Sequence, residues 1–99
     1  MAKTYPNIRT GVIGVGSMGQ NHARVYSEMS NLVGVSDLNR DQGEEIANRF
    51  GVSYYENFEE LLNEVDTVSI AVPTQFHLDV AKKVTDRKIH FFDTLQKNS

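Results

Sequence analysis

Three glycines follow the spacing G-x-G-x-x-G in the segment Gly14-Val15-Gly16-Ser17-Met18-Gly19. Gly14 permits a tight turn out of a strand, Gly16 lets a pyrophosphate approach the backbone, and Gly19 lets the next helix pack close to that strand. The first turn of the helix, which holds Ser17 and Met18, would present N–H groups and a partial positive charge to the phosphates. The motif therefore predicts a loop that binds the pyrophosphate of NAD or NADP.

An acidic residue, Asp37, follows Gly19 by 18 positions and ends the next apolar segment. A carboxylate at this point can accept hydrogen bonds from both hydroxyls of an adenosine ribose, and it would repel a 2′-phosphate. This favours NAD as the cofactor. Arg40 lies three residues further on and could offset the repulsion, so NADP stays possible.

Short apolar segments alternate with helical patterns along the chain. The strand candidates are 11–15, 32–37, 67–72 and 89–92, with a short extended piece at 52–55; helices are expected at about 17–29, 41–50, 58–62 and 75–87. This alternation predicts an α/β fold, with a Rossmann-type parallel sheet of about four strands in the order 3-2-1-4 and helices on both faces. Residues 1–99 are expected to form a single dinucleotide-binding domain with an irregular or disordered tail at about 94–99.

Several helix ends carry recognisable signals. Gly51 is expected as a left-handed residue at the end of a helix, and Asn57 as a helix N-cap with Glu60 at the third helical position. Thr74 is expected to cap the helix that begins at about Gln75.

The composition narrows the classes of protein. The chain has 39% hydrophobic and 23% charged residues, a net charge of −3 and no cysteine. These values favour a globular domain and exclude disulfide or thiolate metal sites; no metal site is expected. We expect no nucleic-acid or membrane partner, because no basic face or long apolar run is present. With no apolar signal segment, a cytoplasmic location is expected.

Taken together, these residues resemble the N-terminal NAD(P)-binding Rossmann domain of the glucose–fructose oxidoreductase / inositol dehydrogenase / rhizopine-catabolism (GFO/IDH/MocA) family. The likeness covers about residues 8 to 92 and lies in the Gly14–Gly19 motif, His22-Ala23, Asp37, Val72-Pro73-Thr74 with His77, and Ile89-His90. It implies the NAD(P)-binding domain of an oxidoreductase that acts on a sugar- or polyol-type substrate.

The resemblance also implies that Pro73, Thr74 and His77 lie near the nicotinamide end of the cofactor. Thr74 could cap a helix, donate to a cofactor oxygen, or do both. For His77, a structural role as a first-turn side chain and a functional role are weighed evenly. His22 is expected to be a packing or surface residue.

The chain departs from the family after its last strand. The family's Glu-Lys-Pro motif aligns with Thr94, Leu95 and Gln96, none of which is equivalent, and the second domain has no counterpart. We expect Asp93 and Lys97 to be solvated tail residues, which leaves the catalytic residues unknown. The chain is expected to be truncated and not to be catalytically complete by itself.

Three other functions stay open. These are a stand-alone nucleotide-binding or regulatory module without catalysis, a methyltransferase, and a folded fragment with no cellular role. Truncation would also leave Ile89 to Phe92 as a sheet edge with free backbone groups, so a homodimer through this edge is expected.

Overall fold

The structure is a computed structural model and describes residues 4–93, which form one parallel sheet with helices packed on both faces. The elements follow in the order β1 (Tyr5–Ile13), α1 (Ser17–Met29), β2 (Ser30–Ser36), α2 (Arg40–Phe50), β3 (Ser53–Tyr55), α3 (Phe58–Leu62), β4 (Thr67–Ile70), α4 (Thr74–Asp86) and β5 (His90–Asp93). The tail expected at about 94–99 lies outside the described residues.

The order of strands in the sheet is β3-β2-β1-β4-β5, and all four pairings are parallel. The α/β fold class and the order 3-2-1-4 are confirmed, but the described chain has five strands instead of about four. The difference arises because Ser53–Tyr55, which the sequence indicates only as a short extended piece, is hydrogen-bonded to β2 as a full member of the sheet. The chain order reverses between β1 and β4, and that reversal is where ligands bind in open α/β sheets.

Each face of the sheet carries its own apolar core, because successive side chains of a strand point to opposite faces. Ile13 packs with Leu61 and Val80 on the side of α3 and α4. Its neighbour Val12 packs with Ala23 and Ile46 on the side of α1 and α2. The two cores pack against opposite faces of β1, so the strand from which the glycine loop leaves is buried on both sides.

The helix ends agree with the sequence at two positions and differ at a third. Gly51 adopts the left-handed conformation, with φ of 67°, and the Asn57 side chain accepts a hydrogen bond from the amide of Glu59 at 2.9 Å. The expectation that Thr74 caps α4 is wrong. Pro73 is the N-cap, with φ of −55° and ψ of 151°, so Thr74 is already the first helical residue.

The longest helices among residues 4–93, α1 and α4, have 13 residues each. None of the described helices combines the length and apolar character needed to cross a lipid bilayer.

Candidate functional site

Two glycines of the loop between β1 and α1 are required by the geometry of the backbone. Gly14 has a φ of 92°, and a Cβ atom there would lie 2.6 Å from the carbonyl oxygen of Ala71. A Cβ atom on Gly19 would overlap the carbonyl oxygen of Gly14. The turn at Gly14 and the close approach of α1 at Gly19, both expected from the motif, are therefore present in the structure.

The third glycine, Gly16, faces open space. Apart from Gly16 itself and its two chain neighbours, no atom of residues 4–93 would lie within 4 Å of a Cβ placed on it, and its φ of −67° is ordinary. Gly16 is also the N-cap of α1, so the N-cap residue offers no side-chain acceptor to the first turn, and that turn holds no acidic residue. Packing within residues 4–93 therefore does not require a glycine here, and the open space lies beside N–H groups at the positive end of a helix.

Three polar side chains hold the backbone of Val15 in the loop. Its amide donates to the Asp37 carboxylate at 2.7 Å, and its carbonyl accepts from the side-chain amides of Gln42 at 2.9 Å and Gln20 at 3.2 Å. Gln20 and Gln42 were not predicted as site residues. Gln20 directly follows the motif, which is a local signal, whereas the contact of Gln42 depends on how α2 packs against the loop.

Both carboxylate oxygens of Asp37, the residue that follows β2, accept hydrogen bonds from backbone amides. One oxygen accepts from Val15, and the other accepts from the amide of Asn39 at 2.8 Å. The hydroxyl of Tyr54 donates to the Asp37 carbonyl at 2.8 Å. The carboxylate is therefore held in one orientation at the carboxyl edge of the sheet.

A mainly apolar cavity of about 440 Å³ opens at the same edge, between the ends of β1, β2 and β4. Gly14, Asp37 and Pro73, three residues singled out from the sequence, contribute to its wall. Its remaining lining residues are Ile13, Ser36, Leu38, Asn39, Glu56, Phe58, Val72, Phe76, Asp79 and Val80. A concave apolar site with a few oriented polar groups at the strand-order reversal is typical of a small-molecule site.

Arg40, the first residue of α2, forms ion pairs with two carboxylates. Its guanidinium lies 3.2 Å from Glu44 on the same helix and 3.2 Å from Glu56, which lines the cavity. The hydrogen bond to Glu44, supported by the charge of Glu56, raises the pKa of Arg40 above its usual value. Arg40 therefore lies next to the cavity, and its positive charge is balanced by the carboxylates of Glu44 and Glu56.

The segment after β4 separates into an exposed and a buried part. Thr74 is exposed, whereas His77 is only 4% exposed and lies on the inner face of α4. The His77 Nδ1 atom lies 2.6 Å from an Asp93 carboxylate oxygen, as a close contact outside aligned hydrogen-bond geometry. Within the described chain, neither Thr74 nor His77 lines the cavity.

The expectation that Asp93 is a solvated tail residue is wrong. Asp93 is the last residue of β5, pairs in register with Ile70 of β4, and has a side chain only 13% exposed. The other candidate of that group, Lys97, lies outside the described residues. His22 is half-buried and its ring packs 5.5 Å from that of Phe92, in agreement with a packing role.

A parallel sheet with the order 3-2-1-4-5, a glycine turn leading into an uncapped helix, and a carboxylate at the end of β2 define an α/β dinucleotide-binding domain of the Rossmann type. The chain belongs to the GFO/IDH/MocA family, described as an oxidoreductase family with an NAD-binding Rossmann fold, and residues 8–93 match it. Membership of this family removes the methyltransferase alternative.

Among characterised relatives, UDP-N-acetylglucosamine 3-dehydrogenase from Acidithiobacillus ferrooxidans is 40% identical over 84 residues, which are 85% of this chain and 27% of that protein. Its crystal structure superposes with a TM-score of 0.85, covering 87% of this chain and 28% of that one. Glucose-6-phosphate 3-dehydrogenase from Bacillus subtilis is 31% identical over 83% of this chain and 24% of its own length.

A further similar structure is that of GenD2 from gentamicin A biosynthesis in complex with NAD. It is 26% identical, has a TM-score of 0.86, and covers 93% of this chain and 28% of its own. The chain thus spans about a quarter of the length of the proteins that it matches, 27% and 24% for the two characterised dehydrogenases.

Proposed function

We propose that the cavity and the Gly14–Gly19 loop bind NAD, and that the chain is the cofactor-binding domain of a dehydrogenase acting on a sugar-type substrate. The observation that carries this proposal is the open space at Gly16. A position that needs no glycine for packing, beside an uncapped helix N-terminus, suits a backbone that a pyrophosphate must approach closely.

Different residues of the described chain suit the pyrophosphate, the adenosine ribose and the adenine of the dinucleotide. The amides of Gly16, Ser17 and Met18 would donate to the pyrophosphate, while Gly14 and Gly19 shape the loop. A carboxylate offers about four lone-pair sites, so Asp37 can accept from the ribose hydroxyls while it holds the amides of Val15 and Asn39. The adenine would occupy the apolar cavity beside Leu38 and Phe58.

The nicotinamide end would lie toward the segment after β4. Pro73 ends that loop at the cavity wall, and the exposed Thr74 hydroxyl is available to a ligand at the start of α4. We assign His77 a positioning role, since its buried contact with Asp93 joins α4 to the end of β5. When bound, NAD would supply the hydride acceptor.

The sugar-type substrate is inferred from two relatives. Their names describe oxidation at position 3 of UDP-N-acetylglucosamine and of glucose-6-phosphate. A second candidate function, cofactor binding without turnover, is favoured by the sequence at 94–96. There Thr94, Leu95 and Gln96 replace the Glu-Lys-Pro motif of the family.

Titration of the chain with NAD, followed by amide NMR signals, tests the binding proposal. We expect saturable shifts at Gly16, Ser17 and Met18, and S-adenosylmethionine serves as the control ligand. Shifts with S-adenosylmethionine alone, or with neither compound, would overturn the proposal. Incubation with NAD and a panel of nucleotide sugars and sugar phosphates then separates the two candidates, because only a dehydrogenase forms NADH.

We also propose that the chain forms a homodimer through β5. In the described chain β5 is an outer strand of the sheet, and Phe92 on it is 43% exposed. The cytoplasmic location and the extent of the domain over residues 1–99 stay predictions from the sequence.

A further inference from the structure

We propose that Glu44 and Glu56 determine cofactor specificity by holding Arg40 away from the adenosine ribose, so that the site selects NAD over NADP. This inference rests on the proposed function. NADP differs from NAD by a 2′-phosphate on that ribose, and a guanidinium is the side chain best suited to bind a phosphate through two hydrogen bonds. Arg40 lies three residues after Asp37, so it is the nearest candidate in sequence for such a contact.

In the structure, the Arg40 guanidinium is already paired with two carboxylates. Its Nε atom lies 3.2 Å from a Glu44 oxygen, and its Nη1 atom lies 3.2 Å from a Glu56 oxygen. The two glutamates therefore occupy donors on different nitrogens of the guanidinium. A 2′-phosphate would therefore have to share the guanidinium with two carboxylates that already balance its charge.

The charges around the cavity also disfavour a 2′-phosphate. Its charged lining residues within the described chain are Asp37, Glu56 and Asp79, all of them acidic. A phosphate placed near Asp37 would meet these carboxylates, and the cavity wall formed by residues 4–93 contains no lysine or arginine to compensate them. The raised pKa of Arg40 agrees with a guanidinium stabilised by its acidic neighbours.

Removal of Glu56 and removal of Glu44 would change NADP binding for different reasons, and this difference makes the inference testable. Glu56 lines the cavity, so its removal relieves direct repulsion and also releases Arg40. Glu44 is not among the cavity-lining residues, and it contacts Arg40 from one turn along α2. A gain in NADP binding on removal of Glu44 would therefore act through Arg40.

The experiment measures the dissociation constants of NAD and NADP for the wild-type chain, Glu44→Gln, and the double variant Glu44→Gln/Glu56→Gln. We expect the double variant to bind NADP about tenfold more tightly relative to NAD, equivalent to about 1.4 kcal/mol. A smaller gain is expected from Glu44→Gln alone, and both gains should shrink at high salt. Glu45→Gln is the matched control, since Glu45 is the next residue of α2 and pairs with Arg49 at 3.9 Å.

Adding Arg40→Gln to the double variant completes the test. If Arg40 receives the phosphate, this third change removes most of the gain and leaves only the part that comes from the lost Glu56 charge. A gain that Arg40→Gln leaves unchanged, an equal gain in Glu45→Gln, or no gain in a chain that binds NAD would overturn the inference. A wild-type chain that binds neither dinucleotide would overturn the proposed function, and this inference with it.

Discussion

The carboxylate of Asp37 accepts a hydrogen bond from the backbone amide of Val15 at 2.7 Å, joining the end of β2 to the glycine loop after β1. Val15 is fully buried, so its amide has little access to water as a substitute partner. The residue proposed to bind the ribose therefore also holds the loop proposed to bind the pyrophosphate.

Replacement of Asp37 by alanine should consequently affect stability as well as binding. We expect Asp37→Ala to lower the free energy of unfolding by about 1–3 kcal/mol, because a buried amide loses its acceptor, and to abolish detectable NAD binding. Denaturant unfolding and calorimetric titration measure the two effects. Asp41→Ala, which removes a carboxylate from the first turn of α2, is the control, and equal losses in both variants would contradict this role of Asp37.

Substitution of Gly16 by alanine should mainly weaken NAD binding, whereas substitution of Gly19 should mainly lower stability. Gly16→Ala places its Cβ in open space, so we expect stability to change by less than about 1 kcal/mol while NAD binding weakens at least about tenfold. Gly19→Ala places its Cβ on the Gly14 carbonyl, and we expect a loss of about 3 kcal/mol or more. Thermal unfolding with and without NAD distinguishes them. Unchanged NAD affinity in Gly16→Ala would contradict a close approach of the pyrophosphate.

The ion pair between Arg9 and Asp66 should make stability depend on pH in the acid range. Hydrogen bonds from the Arg9 side chain and backbone hold the pKa of Asp66 below its ordinary value of 3.8. Because the pKa of Asp66 is lower in the folded state, the contribution of its ion pair to the free energy of unfolding is complete above about pH 4. That contribution is lost as the pH falls through the folded-state pKa.

We therefore expect Asp66→Asn to be less stable than the wild type at neutral pH, and the difference to disappear in acid. Denaturant midpoints measured from about pH 7 to about pH 2 follow this convergence. The effect is small because both side chains are about half exposed, at 49% and 47%. Asp86→Asn at the end of α4 is the control, and a constant difference between wild type and Asp66→Asn across the range would refute the prediction.

Lys88, which follows α4, is a non-glycine residue with a positive φ, 58°. Glycine adopts this left-handed conformation without the steric cost borne by a residue with a Cβ, although it gains more freedom in the unfolded chain. We expect Lys88→Gly to raise the free energy of unfolding by up to about 1 kcal/mol. Lys88→Ala keeps the Cβ and should not be stabilising; a similar gain in both variants would assign the effect to the lost charge.

The edge at β5 leads to a prediction about association. If two copies pair through this strand, light scattering should show a dimer fraction that increases with concentration up to about 100 µM. Phe92→Lys should reduce that fraction because it places a charge on the strand. A strict monomer at the highest concentration would count against the dimer.

Features that depend on neighbouring residues were predictable from the sequence. The turn at Gly14, the close helix at Gly19, the left-handed Gly51 and the Asn57 cap each follow from local backbone geometry. Thr74 was assigned wrongly because Pro73 adopts a conformation that starts α4 one residue early. The extended piece at Ser53–Tyr55 became a strand because β2 offers it a partner, and three residues carry too short a pattern to show this.

The sequence by itself determined the α/β fold and the positions of the glycine loop and Asp37, since spacing along a strand–turn–helix unit specifies these, and its resemblance to known proteins indicated the family. Only the tertiary structure decided that Gln42 holds Val15, that Glu56 reaches Arg40 and that Asp93 lies against His77. Each of these contacts joins residues on different elements, at distances set by strand register and helix packing. Such distances have no counterpart in local sequence, which is why the glycine loop could be found from its motif while the groups that orient and restrain the site could not.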